Sequence, residues 1–549
     1  MIAAACLAAF ALGQSGVQTT TSQDVRPGAI HGHVSRPDGR PAARAEVRLI
    51  PTAPGLRRSA VVTDGDGVYA FDDLPPGFYR ILAQKPGFVP TEYGGRPADQ
   101  TGDLVQVDPG GLRDRIDIAL VRHSAITGRV VDENGDPVEG ARVHAQQLRY
   151  IDGRYRLVDT FGARQRVTDD RGRFRVFGLQ AGTYFVSAVV GQIDYPAAAM
   201  VNLPGYAPTF YPGRTRASDA ERIRVPAGQD VAISDFALVP VRTARISGTA
   251  RNSRGEPVTG GRVIRPTVRS GGVGEEFGAR IERDGTFEFR NVAPGEYVIV
   301  ASKGRERVSV ESEFAARVIN VAGVDISGLS IRTSAGSTIS GHVMLEGGNA
   351  APDAFTIEAY PVDPDFDPPE GGAIAHAELT PTLEFTLSGI SGPRRFRLTE
   401  APEGWMLKSV LVNGQDVTDD TLSFGTSGES LSDVQIVLSQ ASGEVSGTLT
   451  VPQGLPPNLY SVVVFADDSS KWYADSRFLR SAPVAPNGAF DVTGLPSGGY
   501  FVVAIPRLGG DDWREPALLE ALSANAVRRL VTEGQALSLM LKPTTVPRR

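Results

Sequence analysis

The chain has 549 residues, with 56 basic against 63 acidic and a net charge of −7. That length allows several domains of about 100–150 residues each, and the lack of a basic stripe excludes nucleic acid as a partner class. A single cysteine, Cys6, excludes a disulfide framework and a cysteine-ligated metal centre.

Residues 1–26 read as a signal peptide and a disordered start. The apolar run Ile2–Leu12 is too short to span a bilayer. With Ala11-Leu-Gly13 as a small-residue cleavage site it reads as the hydrophobic part of a secretory signal, although no Lys or Arg precedes it and the first is Arg26. A lipoprotein acylated at Cys6 after Ala3-Ala-Ala5 is the alternative, disfavoured because Cys6 sits so near the terminus. Both readings place the protein in the periplasm, the envelope or outside the cell. A mature chain without cysteine must rely on its hydrophobic cores.

From residue 27 onward one cassette is written five times. Its opening line is Ile30-His-Gly32-His-Val34, then Ile126-Thr-Gly128-Arg-Val130, Ile246-Ser-Gly248-Thr-Ala250, Ile339-Ser-Gly341-His-Val343 and Val445-Ser-Gly447-Thr-Leu449. Another glycine follows seven residues on: Gly39, Gly135, Gly255, Gly348 and Gly454. A second line, Gly67-Val-Tyr69-Ala-Phe71 with Leu74, Gly77 and Tyr79, recurs from Gly172, Gly285 and Gly488. Alternating apolar residues mark half-buried strands, and the Asp-Gly and Asn-Gly pairs supply positive φ for hairpins. The opening glycines lie about a hundred residues apart, a period that suits whole domains rather than solenoid repeats. The expected modules are therefore 27–122, 123–243, 244–334, 335–441 and 442–549. Each is an antiparallel β-sandwich, and the short connections predict a semi-rigid rod.

The fourth module is degenerate. Leu383 stands where the turn glycine belongs, Gly392 arrives one residue early, and an acidic stretch, Asp363 to Glu370, is inserted. In the fifth, Leu518, Leu519, Leu522 and Leu530 follow a helical period after Pro516, predicting one short helix over 515–530. The final strand is expected over 536–541.

The repeated lines resemble the carboxypeptidase regulatory-like domain, most clearly at Ile126–Val143 with Asp170–Ser187 and at Ile246–Val263 with Asp284–Ala301. The resemblance covers most of residues 27–545. It implies an all-β chain: a tandem array of about five prealbumin-like, Greek-key sandwiches, close to the collagen-adhesin B-type repeats. It is specific for fold and poor for function, since such modules decorate bacterial envelope and secreted proteins.

No catalytic apparatus is spelled out. The six histidines, His31, His33, His123, His144, His342 and His376, lack a glutamate three residues later, so a zinc peptidase is not expected. His31 and His33 share a strand face, but the matching positions are Thr127 and Arg129, Ser247 and Thr249, a polar face rather than a chelate. Asp132–Asp136 reads as a hairpin turn rather than a calcium loop. Lysine is absent from the opening strands, which removes the nucleophile of the isopeptide crosslinks in the related adhesin repeats. No catalytic residue, cofactor or metal is expected.

The first functional expectation is a non-catalytic, exported scaffold or adhesion protein of the envelope, with an envelope protein or a polysaccharide as partner and no transmembrane span. The alternative is carbohydrate binding by loop aromatics of module 2 or 5: Tyr150, Tyr155 and Tyr195, or Trp472, Tyr473 and Trp513. Its sharpest form is a platform of Tyr206, Phe210 and Tyr211, against the simpler reading of these rings as lids on a core.

Overall fold

The computed structural model describes residues 26–52, 57–95, 102–159, 166–190, 205–258, 262–268, 278–302, 313–347, 355–363, 375–376, 378–380, 382–399, 405–424, 430–452, 455–508 and 510–546. The signal segment with Cys6, Tyr195 and most of the acidic insertion after Asp363 lie outside the described residues. The chain divides into two compact units, one ending at Arg122 and the other running from His123 to the end.

The same seven-strand plan recurs. In the first unit, strand Gly28–Ser35 lies between Val68–Leu74 and the pair Leu112–Arg113 and Ile118–Ala119. The second sheet runs Ser59–Val62, Glu46–Pro51, Gly77–Gln84, then Thr91–Glu92 and Val105–Val107. Strand order repeats from Ser124, Ala244, Ser337 and Gly443. Five hydrophobic cores fill the spaces between the paired sheets. Module 3 follows this order although its neighbours differ from it in sequence, because alternation rather than identity specifies the inward face.

One feature departs from the antiparallel expectation. In every copy the first strand pairs antiparallel with the fourth but parallel with the last, as in Gly443–Leu449 beside Ala536–Leu541. The last strand arrives by a crossover from the other sheet, so it enters in the direction of the first.

That parallel strand explains the glycine at the centre of the opening line. Gly32, Gly128, Gly248, Gly341 and Gly447 are the cross-strand partners of Tyr69, Phe174, Phe287, Phe385 and Phe490. The ring lies over the glycine, and in four copies the last strand's backbone closes on it: a Cβ on Gly32, Gly248, Gly341 or Gly447 would overlap the carbonyl of Ile116, Leu329, Val434 or Leu539. The cassette thus encodes a close approach and its aromatic cover. The second-line tyrosine has an equally local task. Tyr79, Tyr184, Tyr297 and Tyr500 each donate from the hydroxyl to the carbonyl four residues earlier, at 2.6, 2.9, 2.7 and 2.8 Å, satisfying the buried polar end of the ring.

The degenerate module keeps the geometry by other means. Leu383 adopts the left-handed backbone (φ 61°) that glycine supplies elsewhere and accepts the strain of a side chain there. Arg394 occupies the tyrosine position. It is buried, and its Nε donates to the Ser391 carbonyl at 2.8 Å. A hairpin, Met406–Val412 with Gln415–Asp416, extends the first sheet beyond the last strand, Ser430–Ser439.

The C-terminal helix is shorter than its periodicity suggested. It spans Pro516–Ser523 and buries Leu518, Leu519 and Leu522 on the outer face of the second sheet, against Val463, Phe465, Val503 and Ile505. Each leucine contributes about 1.5–3 kcal/mol by burial. Leu530 instead lies exposed on strand Val527–Val531, which pairs with Gly498–Pro506. The sheet edge needs a partner there, and Val531 completes the sandwich core, so tertiary pairing overrides the helical period. The final strand is Ala536–Leu541. No described helix is long and apolar enough to cross a membrane.

Candidate functional site

Within the second unit, modules far apart in sequence touch, so the end-to-end rod expected from the short connections is not formed there. The module 2 hairpin Arg142–Ile151 with Arg154–Asp159 reaches module 5, where Arg149 Nη1 meets Asp512 Oδ2 at 2.8 Å and the Tyr150 amide donates to Asp512 Oδ1 at 3.1 Å. It also reaches module 4, with Arg154 3.2 Å from Asp363. Tyr360 of module 4 donates to the Ala474 carbonyl of module 5 at 3.2 Å.

Between modules 4 and 5 lies a cleft of about 350 Å³. Strand Gly392–Thr399 supplies Arg395 and Arg397, and the extra hairpin supplies Met406 and Leu407. The loop from Trp472 to Arg477, strand Leu479–Pro483 and the turn before the helix supply Tyr473, Asp475, Arg477, Arg480 and Arg514. Five guanidiniums and two carboxylates, Asp419 and Asp475, line it.

Three arginines are tied down. Arg477 grips Asp419 with two parallel bonds, Nε to Oδ1 at 2.9 Å and Nη2 to Oδ2 at 2.8 Å, and also donates to the Leu407 and Lys408 carbonyls. Asp475 bridges Arg397 at 3.1 Å and Arg514 at 3.0 Å, and Arg397 also pairs with Glu358. Such forks join modules as well as balance charge. Burial pushes the Asp419 carboxyl up, but the Arg477 guanidinium and the Tyr473 hydroxyl, 2.9 Å away, outweigh it and hold the group below the usual carboxylate range. A depressed folded-state pKa means the unfolded chain binds the proton more readily. The stabilisation is therefore complete above the unfolded value of about 3.9 and is lost as pH falls through the lower folded value. Acid titration of the Asp419→Asn variant should remove that part of the acid sensitivity of the 4–5 junction, read by hydrogen exchange of peptides containing Leu407 and Arg477.

The rings singled out in the sequence are mostly interior. Phe210 is fully buried, and Tyr211 lies in the module 2 core edge-on to Phe236 at 5.8 Å, its hydroxyl 2.8 Å from Ser234 Oγ. Tyr206 packs on the same core and donates to Glu133 at 2.9 Å; burial and then that carboxylate push its hydroxyl up to about 12. The three do not share one surface: Phe210 packs with Val189 in a separate cluster, Tyr211 and Tyr206 belong to the sandwich core, and only Tyr206 keeps a partly open face. Tyr150 is buried and Tyr155 exposed in an edge-on pair, while Trp472 is buried with Nε1 donating to the Ala466 carbonyl at 2.7 Å. Tyr473 carries Arg395 on its face, 3.9 Å from the ring centre. His31 sits 3.0 Å from Asp72. Sequence reasoning missed the arginine cleft because its members are spread over residues 395–514 and no spacing links them. The only signal was the unusual arginine content, with five lysines among 56 basic residues.

Comparison with known proteins gives the following. Residues 29–121 and 125–239 match the carboxypeptidase regulatory-like domain, so modules 1 and 2 carry the family match and module 3, expected to be among the clearest copies, does not. No curated protein matches the chain. Among solved structures, a streptococcal ancillary pilin is 11% identical, with a TM-score of 0.19 over 56% of this chain and 98% of that one. The minor pilin GBS52 of Streptococcus agalactiae is 15% identical, with a TM-score of 0.21 over 39% and 97%. The major pilin subunit BcpA of Bacillus cereus is 12% identical, with a TM-score of 0.16 over 56% and 99%.

Proposed function

We propose, for a chain whose segments 29–121 and 125–239 match the carboxypeptidase regulatory-like domain, that the protein is a non-catalytic, exported β-sandwich scaffold of the cell envelope that holds an envelope or extracellular partner. The observation that carries this reading is the network joining modules 2, 4 and 5 through Asp512, Asp363 and Asp475. It ties three sandwiches to one another instead of leaving them as separate beads, a property that suits a scaffold. Module boundaries near residues 122, 243, 334 and 441 belong to the same proposal, each sandwich carrying its own core. Carbohydrate binding keeps narrower support, the part-exposed face of Tyr206.

The junction can be loosened selectively. Asp475→Ala leaves Arg397 and Arg514 without their shared carboxylate. The groups are about a quarter exposed, so a cost of about 1–2 kcal/mol is expected, between an exposed pair and a fully buried one. Hydrogen exchange should accelerate at Arg397 and Tyr473 peptides while the five cores stay protected. The role itself is checked by fractionating the producing cells and by crosslinking on intact cells. Recovery of the chain only in the cytosol, or hydrolytic turnover by the purified protein, would defeat the scaffold reading.

A further inference from the structure

The charge in the 4–5 cleft does not balance. Arg395 and Arg480 have no carboxylate partner among the described residues, whereas Arg397, Arg477 and Arg514 do. Arg395 lies over the Tyr473 ring, 3.9 Å from its centre, and its buried Nε has no hydrogen-bond partner. Half-buried Arg480 donates from Nη1 to the Leu479 carbonyl at 3.2 Å, a poor partner for a cation. Gly494 faces it: a Cβ there would come 3.8 Å from Arg480 Nε. Burial, and then the charges of Arg514 and Arg477, push the Arg480 guanidinium below the usual arginine range. Two part-buried cations without a carboxylate lining one space cost stability unless something negative enters. Preformed guanidinium forks match planar or tetrahedral oxyanions.

We propose that this cleft binds a small oxyanion carrying two negative charges, a phosphate or a dicarboxylate, gripped by Arg395 and Arg480, and that binding fastens module 4 to module 5. Phosphate and dicarboxylate share the chemistry, so both serve as probes. The full chain is melted in hydrogen phosphate, in succinate and in sodium chloride of matched ionic strength, and each anion is titrated by calorimetry. At least one dianion should raise the melting temperature by several degrees and saturate, and which one does so names the class. Arg480→Gln should melt at or above the parent without ligand, because repulsion is relieved, and should bind at least tenfold more weakly. Arg40→Gln, exposed in the other compact unit and not part of the cleft lining, should bind normally. If Arg480→Gln does not fold, Arg480→Lys and Arg395→Lys keep the charge without the fork and should still weaken binding. No saturable effect of either dianion beyond the chloride control overturns the proposal. Full binding by Arg480→Gln, or by both lysine variants, does the same.

Discussion

Gly341→Ala should unfold the fourth module under conditions where Gly39→Ala leaves the first intact. An alanine Cβ at 341 would overlap the Val434 carbonyl oxygen and stand 2.6 and 2.8 Å from its carbonyl carbon and amide nitrogen. All are backbone atoms of the parallel last strand, and backbone cannot rotate away as a side chain can. Relief requires separating Ser337–Glu346 from Ser430–Ser439, which opens the core containing Ile339, Phe385, Val434 and Ile436. A loss of about 3 kcal/mol or more is expected, at the upper end of overpacking costs. Gly39 is the control. It also needs a left-handed backbone (φ 76°), but nothing lies within 4 Å of its Cβ position, so only the strain of about 1–2 kcal/mol applies. Fluorescence of Trp405, buried in the module 4 core, reports the first, and hydrogen exchange of module 1 peptides the second. Equal effects of the two substitutions would remove close approach as the reason for the glycine.

The double variant Tyr206→Ala, Tyr211→Ala should lose about 3–5 kcal/mol from module 2, the range for truncating buried aromatics. Tyr211 alone fills core volume against Phe236 and gives up the bond to Ser234. Tyr206 covers the same core and anchors the Glu133 turn. Hydrogen exchange of peptides around Phe174 and Phe236 would follow the loss while core peptides of the first module, which belongs to the other compact unit and shares no core residue with these rings, keep parental protection. An unchanged melting profile together with lost retention on a polysaccharide column would restore an exposed sugar platform.

The sequence alone determined the sandwich, because a two-residue period with turn glycines at constant offsets admits little else, and local hydrogen bonds then carry out the plan. Asp64 Oδ1 accepts from the amides of Asp66 and Val68, and Asp169 Oδ1 from those of Arg171 and Arg173. Even the degenerate module was legible: the position expected to hold a glycine holds a leucine in glycine's conformation. Three things were decided only in three dimensions. The first and last strands run parallel, a consequence of which sheet the chain last left, and no residue pattern records that. The helix stops at Ser523 because the edge strand Gly498–Pro506 needs a partner, so Leu530 joins a strand despite its helical spacing. The arginine cleft exists because sandwiches 4 and 5 pack side by side. Periodicity reports which face of a strand is buried, whereas charges that meet across two sandwiches are set by docking, in which residues 395 and 480 come to line one cleft without any regular spacing between them.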